Sequence, residues 1–390
     1  MNKYIPYGRQ DITQDDVDAV VAVLKSEFLT QGPAIPKFEQ LVAAKVTVKH
    51  AIAFNSATSA LHIACLALEL GKGDLLWTVT NTFAASANCA LYCGADVDFV
   101  DIDSVSWNMS VEKLEQKLIQ AKKDNSLPKI VIPVHFSGQP TDQEAIWELS
   151  KTYGFKIIED ASHAIGASRN GEIVGSCKWS HITIFSFHPV KIITTCEGGM
   201  ALTNDDALAE SLAMLRSHGI TRDPKKFLFA EAVPDAWYYE QQMLGFNYRI
   251  TDIQATLGIS QLHRLDEYLA QRNKIAEKYN NELGELPLQL PAIQPGNRSA
   301  FHLYVIRLLN KDAATHREVF HKLREMGIGV NLHYIPVHLH PYYRELGFSK
   351  GQFPVSEAYA QSAISIPMYP TLTEEDRHTV VNSIKQILGK

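Results

Sequence analysis

The sequence predicts an α/β protein. It has a large domain on a mostly parallel sheet with helices on both faces, then a smaller C-terminal α/β domain. Two observations carry this. Short apolar strands alternate with amphipathic helices from about residue 50 onward. That rhythm stops near residue 250, where a long charged helical tract and a Pro-rich connector take over. Residues 1–250 are therefore read as the large domain and 251–390 as the small one.

The elements follow in order. ITQDDVDAVVAVLKSE is an amphipathic helix, with Thr13 as N-cap and Asp16 completing a capping box. After Gly32-Pro33, IPKFEQLVAAKV is a second helix. HAIAFN is a buried strand and SATSALHIACLALEL a helix stopped by Gly71. LLWTV is a strand and TFAASANCALYC a helix, with Gly94 at its C-terminus. VDFV, KIVIPVHF, FKIIED and HITIFSF are further strands. SVEKLEQKLIQAKK and TDQEAIWELSKTY are the helices among them. Beyond residue 250, RITDIQATLGISQLHRLDEYLAQRNKIAEKYNNEL reads as one long helix and LPLQLPAIQPGNRS as a connector. FHLYVIRL is a strand and THREVFHKLREMG a helix. SEAYAQSAIS and TEEDRHTVVNSIKQILG are the closing helices.

Composition narrows the function. A net charge of -6 with no basic stripe argues against a nucleic-acid partner. No run approaches the roughly 20 apolar residues of a membrane helix, and the opening MNKYIPYGRQDITQDD has no apolar leader core. The five cysteines form no CxxC, and no Cys/His spacing suggests a metal. A reduced cytoplasm is the expected location.

Ligands of open α/β sheets sit at the carboxyl ends of the strands, so polar residues just past strand ends are the candidates. Ser56, Thr58 and Ser59 follow AIAF at a helix start, where free N–H groups and the dipole favour a phosphate. Simple N-capping is the other reading. No GxGxxG or P-loop pattern occurs. Asp160 ends FKIIED, and alternation sends Glu159 to the other face. An acid there caps a helix, binds a metal or balances a cationic heterocycle. His163 is open in the same way. In HITIFSFH, alternation turns Ser186 and His188 toward the strand-end crevice and Phe185 and Phe187 away from it. Lys191 lies between Pro-Val and Ile-Ile. A lone lysine is most often a solvated surface charge. The other reading of this apolar setting is a desolvated amine with a lowered pKa, usable as a nucleophile or Schiff-base partner.

Together these residues describe pyridoxal phosphate. That cofactor needs a Schiff-base lysine, an acid on the pyridine nitrogen, a phosphate cup at a helix start and a ring-stacking group. Phe83, in NTFAAS, is the stacking candidate, with core filling the commoner fate of a phenylalanine there. The order cup, stacker, acid, serine and lysine is that of the aspartate-aminotransferase-like fold (fold type I).

The chain resembles the DegT-type nucleotide-sugar aminotransferases over nearly its whole length. The segments are LTQGPAIPKFEQ, NSATSALH, NTFAASAN, EDASHAIGA, SFHPVKIITTCEGG, GFNYRITDIQA and ISIPMYPTLT. SFHPVKIITTCEGGMALTN, LGFNYRITDIQ and HYIPVHLHPYY resemble the branch that aminates C4 of UDP-4-keto-6-deoxy-N-acetylhexosamines in pseudaminic acid assembly. The resemblance implies roles. Lys191 would carry the cofactor, Asp160 would pair with its ring nitrogen, and His163 would lie near its O3′ edge. Phe83 would stack on the ring. Thr58 and Ser59, with the Ser186 hydroxyl, would bind the phosphate. Asn247 and Arg249 would come from the second subunit of a homodimer, and His333 and Tyr334 would meet the nucleotide sugar. L-Glutamate would be the amino donor. Cys196 and Ala57-Thr58 stand where the family often has glycine or glycine-threonine, both small-residue changes. Related sugar dehydratases carry histidine at the lysine position, so Lys191 implies transamination.

Three other readings stay beside this one. Another nucleotide-linked 4-keto sugar, of bacillosamine or perosamine type, would use the same cofactor motifs. An amino-acid aminotransferase would want a carboxylate-gripping arginine in the small domain. From Asn331 onward only Arg344 and Arg377 occur, in no obvious carboxylate motif. A non-catalytic relative would have lost the lysine or the acid.

Overall fold

The computed structural model describes residues 4–229, 235–309 and 312–389. Two helices open it, α1 (Gln14–Leu24) and α2 (Ala34–Val46). The Thr13 N–H donates to the Asp16 carboxylate at 2.9 Å, which is the capping bond the sequence predicts.

The alternating region forms β1 (His50–Phe54), α3 (Ala57–Ala67), β2 (Leu75–Val79), α4 (Ala85–Tyr92) and β3 (Asp96–Val100). It continues through α5 (Val111–Asp124), β4 (Ile130–Ile132), α6 (Gln143–Tyr153), β5 (Lys156–Asp160), β6 (Ile182–Ser186), β7 (Gly199–Thr203) and α7 (Asp206–Arg216). Seven strands make one sheet in the order β1-β7-β6-β5-β4-β2-β3. The pairs β2–β3, β2–β4, β4–β5 and β5–β6 are parallel. Only β7 is reversed, antiparallel to β6 and β1. The stretch between Ser186 and Gly199 holds no helix, and a parallel return needs a long crossover, so the chain doubles back.

Alternation puts the two faces of the sheet into different cores. Ile158, Ile182 and Ile184 pack with Ile63 and Leu212 on one face. Phe185, Phe187 and Leu202 pack with Phe38 of α2 on the other.

The predicted long tract breaks at His263-Arg264 into α8 (Asp252–Leu262) and α9 (Leu265–Leu283). Then come β8 (Leu288–Gln289), β9 (Tyr304–Leu308), α10 (Ala313–Glu325), α11 (Pro341–Glu345), α12 (Pro354–Ala360), β10 (Ala363–Ile366) and α13 (Glu374–Leu388). The strands form a small antiparallel sheet in the order β8-β9-β10. SEAYAQSAIS is thus half helix and half strand. Ala363–Ile366 is buried along its whole length and takes its hydrogen bonds from β9.

Ala255, Leu265 and Leu269 join the core under α2, while Ile275, Tyr279 and Leu283 join the core of the small sheet. The change of core therefore falls between Leu269 and Ile275, inside α9. Among the described residues no helix is long and apolar enough to cross a membrane.

Candidate active site

The carboxyl ends of β1, β2, β5 and β6 converge on a cavity of about 600 Å³. Thr58, Phe83, Asp160, His163, Ser186, Lys191, His333 and Tyr334 all line it.

The start of α3 forms one wall. Ser56 caps the helix, its hydroxyl accepting from the Ser59 N–H at 3.1 Å. Ser59 is therefore turned to the cap and does not line the cavity. Helix geometry leaves the N–H groups of Ala57 and Thr58 without intrahelical partners, and both residues do line it. Gly199 lies directly behind. A Cβ there would sit 2.5 Å from the Ala57 nitrogen, so only glycine lets β7 hold the helix start this close.

Asp160 is buried, and each carboxylate oxygen is held. The Ser86 hydroxyl donates to one at 2.6 Å, and the Ser162 N–H to the other at 3.1 Å. Glu159 faces away, as alternation requires, and meets the His135 Nε2 at 2.7 Å.

Lys191 sits on the loop between β6 and β7. The polar run after it ties that loop shut. The Thr194 hydroxyl and the Thr195 N–H both donate to the Phe187 carbonyl, at 3.0 and 2.9 Å. Removal from water pulls the lysine amine down from 10.5 to about 8, against the opposing pull of the Asp160 charge.

Two histidines flank the amine. His163 Nδ1 accepts from the Ser137 N–H at 3.2 Å, which leaves its proton on Nε2, 3.2 Å from the Tyr334 hydroxyl. Burial holds His163 well below its usual range, helped by the Lys191 charge. Burial, with Lys191, lowers His333 to about 3. Both rings are neutral at working pH.

Phe83 is 62% exposed, so its ring is a free wall of the cavity rather than core filling. Asn247 is exposed, Arg249 is half-buried, and neither lines the cavity of its own chain. Sequence reasoning missed Ser86, Tyr7, His302 and Asn331, which complete the surroundings. Ser86 lies in the first turn of α4, three residues past Phe83, which itself precedes the helix. Tyr7 and His302 carry no local signal.

These residues fit pyridoxal phosphate. Two free helix N–H groups and the Ser186 hydroxyl suit the phosphate, and an exposed aromatic face suits the ring. A fixed carboxylate suits the ring nitrogen, and a lowered amine suits the carbonyl.

Residues 10–385 match the model of the DegT/DnrJ/EryC1/StrS aminotransferase family. The chain belongs to that family. It is 37% identical to the UDP-4-amino-4,6-dideoxy-N-acetyl-beta-L-altrosamine transaminase of Campylobacter jejuni, over 99% of this chain and 98% of that one. It is 35% identical to the spore coat polysaccharide biosynthesis protein SpsC of Bacillus subtilis, with the same coverage. Helicobacter pylori PseC, an aminotransferase of pseudaminic acid biosynthesis, superposes with a TM-score of 0.90 at 29% identity, over 99% of this chain and 100% of that one. Spr1654 from Streptococcus pneumoniae, solved in its PLP form, gives 0.89 at 26% identity, over 99% of each chain. The DegT-type aminotransferase fold is thus shared over the whole length of the chain.

Proposed function

We propose that this DegT-type enzyme moves an amino group from L-glutamate to C4 of a UDP-linked 4-keto-6-deoxy-N-acetylhexosamine, as in pseudaminic acid assembly. Pyridoxal phosphate on Lys191 is the cofactor. The observation that carries the chemistry is the lowered Lys191 amine, facing Asp160 across a cavity with a helix-start phosphate cup. The named activities of the Campylobacter and Helicobacter relatives support the choice of sugar.

Bound cofactor supplies an electron sink for the carbon that loses its proton. The chain's residues do the rest. Lys191, its amine lowered to about 8, would hold the cofactor and, as a free amine, would be the group that moves the proton between carbons. Asp160 would keep a proton on the cofactor's ring nitrogen, its carboxylate held from turning by Ser86 and Ser162. Ala57, Thr58 and Ser186 would anchor the phosphate, and Phe83 would cover the ring. His163 and Tyr334 wall off water as a hydrogen-bonded pair. His333 and Tyr334 meet the sugar nucleotide. In a homodimer with shared sites, the partner's Asn247 would reach the phosphate, and the partner's Arg249 would lie close by, toward the substrate. The five unpaired cysteines suit a reducing cytoplasm.

A second sugar is the competing reading. SpsC, of a different polysaccharide, matches almost as well as the altrosamine transaminase. The test is a visible spectrum of the loaded protein. L-Glutamate should bleach the yellow band, and a UDP-4-keto-6-deoxy-N-acetylhexosamine should restore it. Restoration only by a GDP- or dTDP-linked keto sugar selects the second reading. A band that ignores glutamate refutes both.

A further inference from the structure

The machinery above leaves a buried imidazole on the cavity unused. His302 is 4% exposed and lines the cavity. Its ring lies against His163, with centroids 4.3 Å apart. Its Nδ1 is buried and has no hydrogen-bond partner among the described residues. A buried N–H with no acceptor is the rarer defect, so the ring proton is assigned to Nε2, which is not among the buried unpartnered atoms of a residue that lines the cavity. Burial holds the ring well below its usual pKa, with the neighbouring Lys191 and Arg272 charges adding to it. The imidazole is a neutral donor.

The backbone beneath His302 is held with unusual care. Arg272 is fully buried, and its guanidinium donates to the carbonyls of Phe301, His302 and Met368 at 3.1, 3.3 and 3.1 Å. Phe301 has a φ of 43°, a left-handed conformation that is strained for a bulky residue. Gly138 packs under the turn, and a Cβ there would lie 2.9 Å from the nitrogen of Phe301 and 3.0 Å from that of His302. The Ala300 N–H donates to the Gly138 carbonyl at 2.9 Å. A buried charge, a strained phenylalanine and an obligatory glycine converge on one side chain, and that side chain ends in an unused donor.

We propose that His302 contacts the reacting substrate, its Nε2–H donating to an oxygen of the molecule undergoing amino transfer at Lys191. This rests on the aminotransferase reading. The acceptor oxygen is either a carboxylate of the amino donor or an oxygen of the keto sugar.

The test uses the full chain loaded with pyridoxal phosphate, as wild type, His302→Leu, His302→Gln and His302→Asn. The two half-reactions are followed separately by stopped-flow absorbance, with L-glutamate and with the UDP-linked keto sugar. Calorimetric binding of 2-oxoglutarate and of the amino-sugar product gives a readout apart from turnover. Leucine should raise the half-saturating concentration about tenfold in at least one half-reaction, the size of one lost hydrogen bond. Glutamine, which places an N–H where Nε2 stands, should restore most of that. Asparagine, one bond shorter, should not. A loss confined to the glutamate arm assigns the donor carboxylate, and one confined to the sugar arm assigns the sugar. Leucine saturating like wild type in both arms overturns the proposal. So does an equal loss in both arms with a shifted band before substrate, which puts the contact on the cofactor. Should the leucine variant fail to fold, equal behaviour of glutamine and asparagine overturns it. A wild-type chain that ignores both substrates overturns the aminotransferase reading itself. Wild-type turnover with an unaffected leucine variant overturns this inference alone.

Discussion

Lys191 shows how far a local setting changes an amine. A lysine in water at pH 8 is about 0.3% uncharged, whereas one whose pKa is about 8 is half uncharged. Only the uncharged amine attacks a carbonyl. Covalent capture of pyridoxal phosphate by the cofactor-free protein should therefore rise with pH around a midpoint near 8. Absorbance growth in stopped flow measures this, and a midpoint near 10 would mean the amine is solvated. Asp160→Asn tests the neighbouring role. An amide cannot hold a proton on the ring nitrogen as a carboxylate does. The band should still form, while the glutamate half-reaction slows by about 10²-fold or more. Most of this was readable in the residues, because a strand end and two-residue alternation fix which side chains face the crevice. Ser186 and Phe187 divided between cavity and core on that rule alone. Ser59 shows its limit. Sequence places it on the first turn, but only coordinates reveal that its N–H is spent on Ser56.

At the scale of elements, Asp101 joins parts far apart in the chain. It follows β3, and its carboxylate accepts from the Val355 and Ser356 N–H groups at the start of α12 and from Lys113 of α5. Burial alone would raise its pKa, but these bonds outweigh burial and hold it below 3.8. The ionised form is thus favoured by folding. The stabilisation is complete above 3.8 and drains away as pH falls through the lower folded value. Asp101→Asn should cost about 1–3 kcal/mol at neutral pH and flatten the acid limb of the stability curve. Urea midpoints at pH 7 and pH 3 check both parts. Sequence showed none of this, since residues 101 and 355 share no local pattern. The same holds for β7 and β10. GMALT and AISI are too short and too apolar for periodicity to separate strand from helix, and pairing with β6 and β9 decides.

At the scale of the molecule, exposed apolar side chains gather on the turn after α1 and near residue 240. Leu24, Phe28 and Leu29 are 46–55% exposed, and Trp237 and Leu244 are 73% and 81% exposed. A second copy of the chain is the occupant that the shared-site reading requires. Mixing inactive Lys191→Ala with Asn247→Ala chains tests it. In a mixed dimer one site carries both changes and the other carries neither. A statistical mixture should then recover about a quarter of wild-type activity from two impaired parents. No recovery would mean that each chain completes its own site.

The reversed strand has a consequence for the order of assembly. β1 borders only β7 in the sheet, although α3, which carries the phosphate cup, springs directly from β1. The first strand made is thus an orphan until residues 199–203 leave the ribosome. β2 through β6 can pair among themselves in the meantime. A chain that stops short of Gly199 therefore lacks the strand that packs against the Ala57 nitrogen at the start of α3.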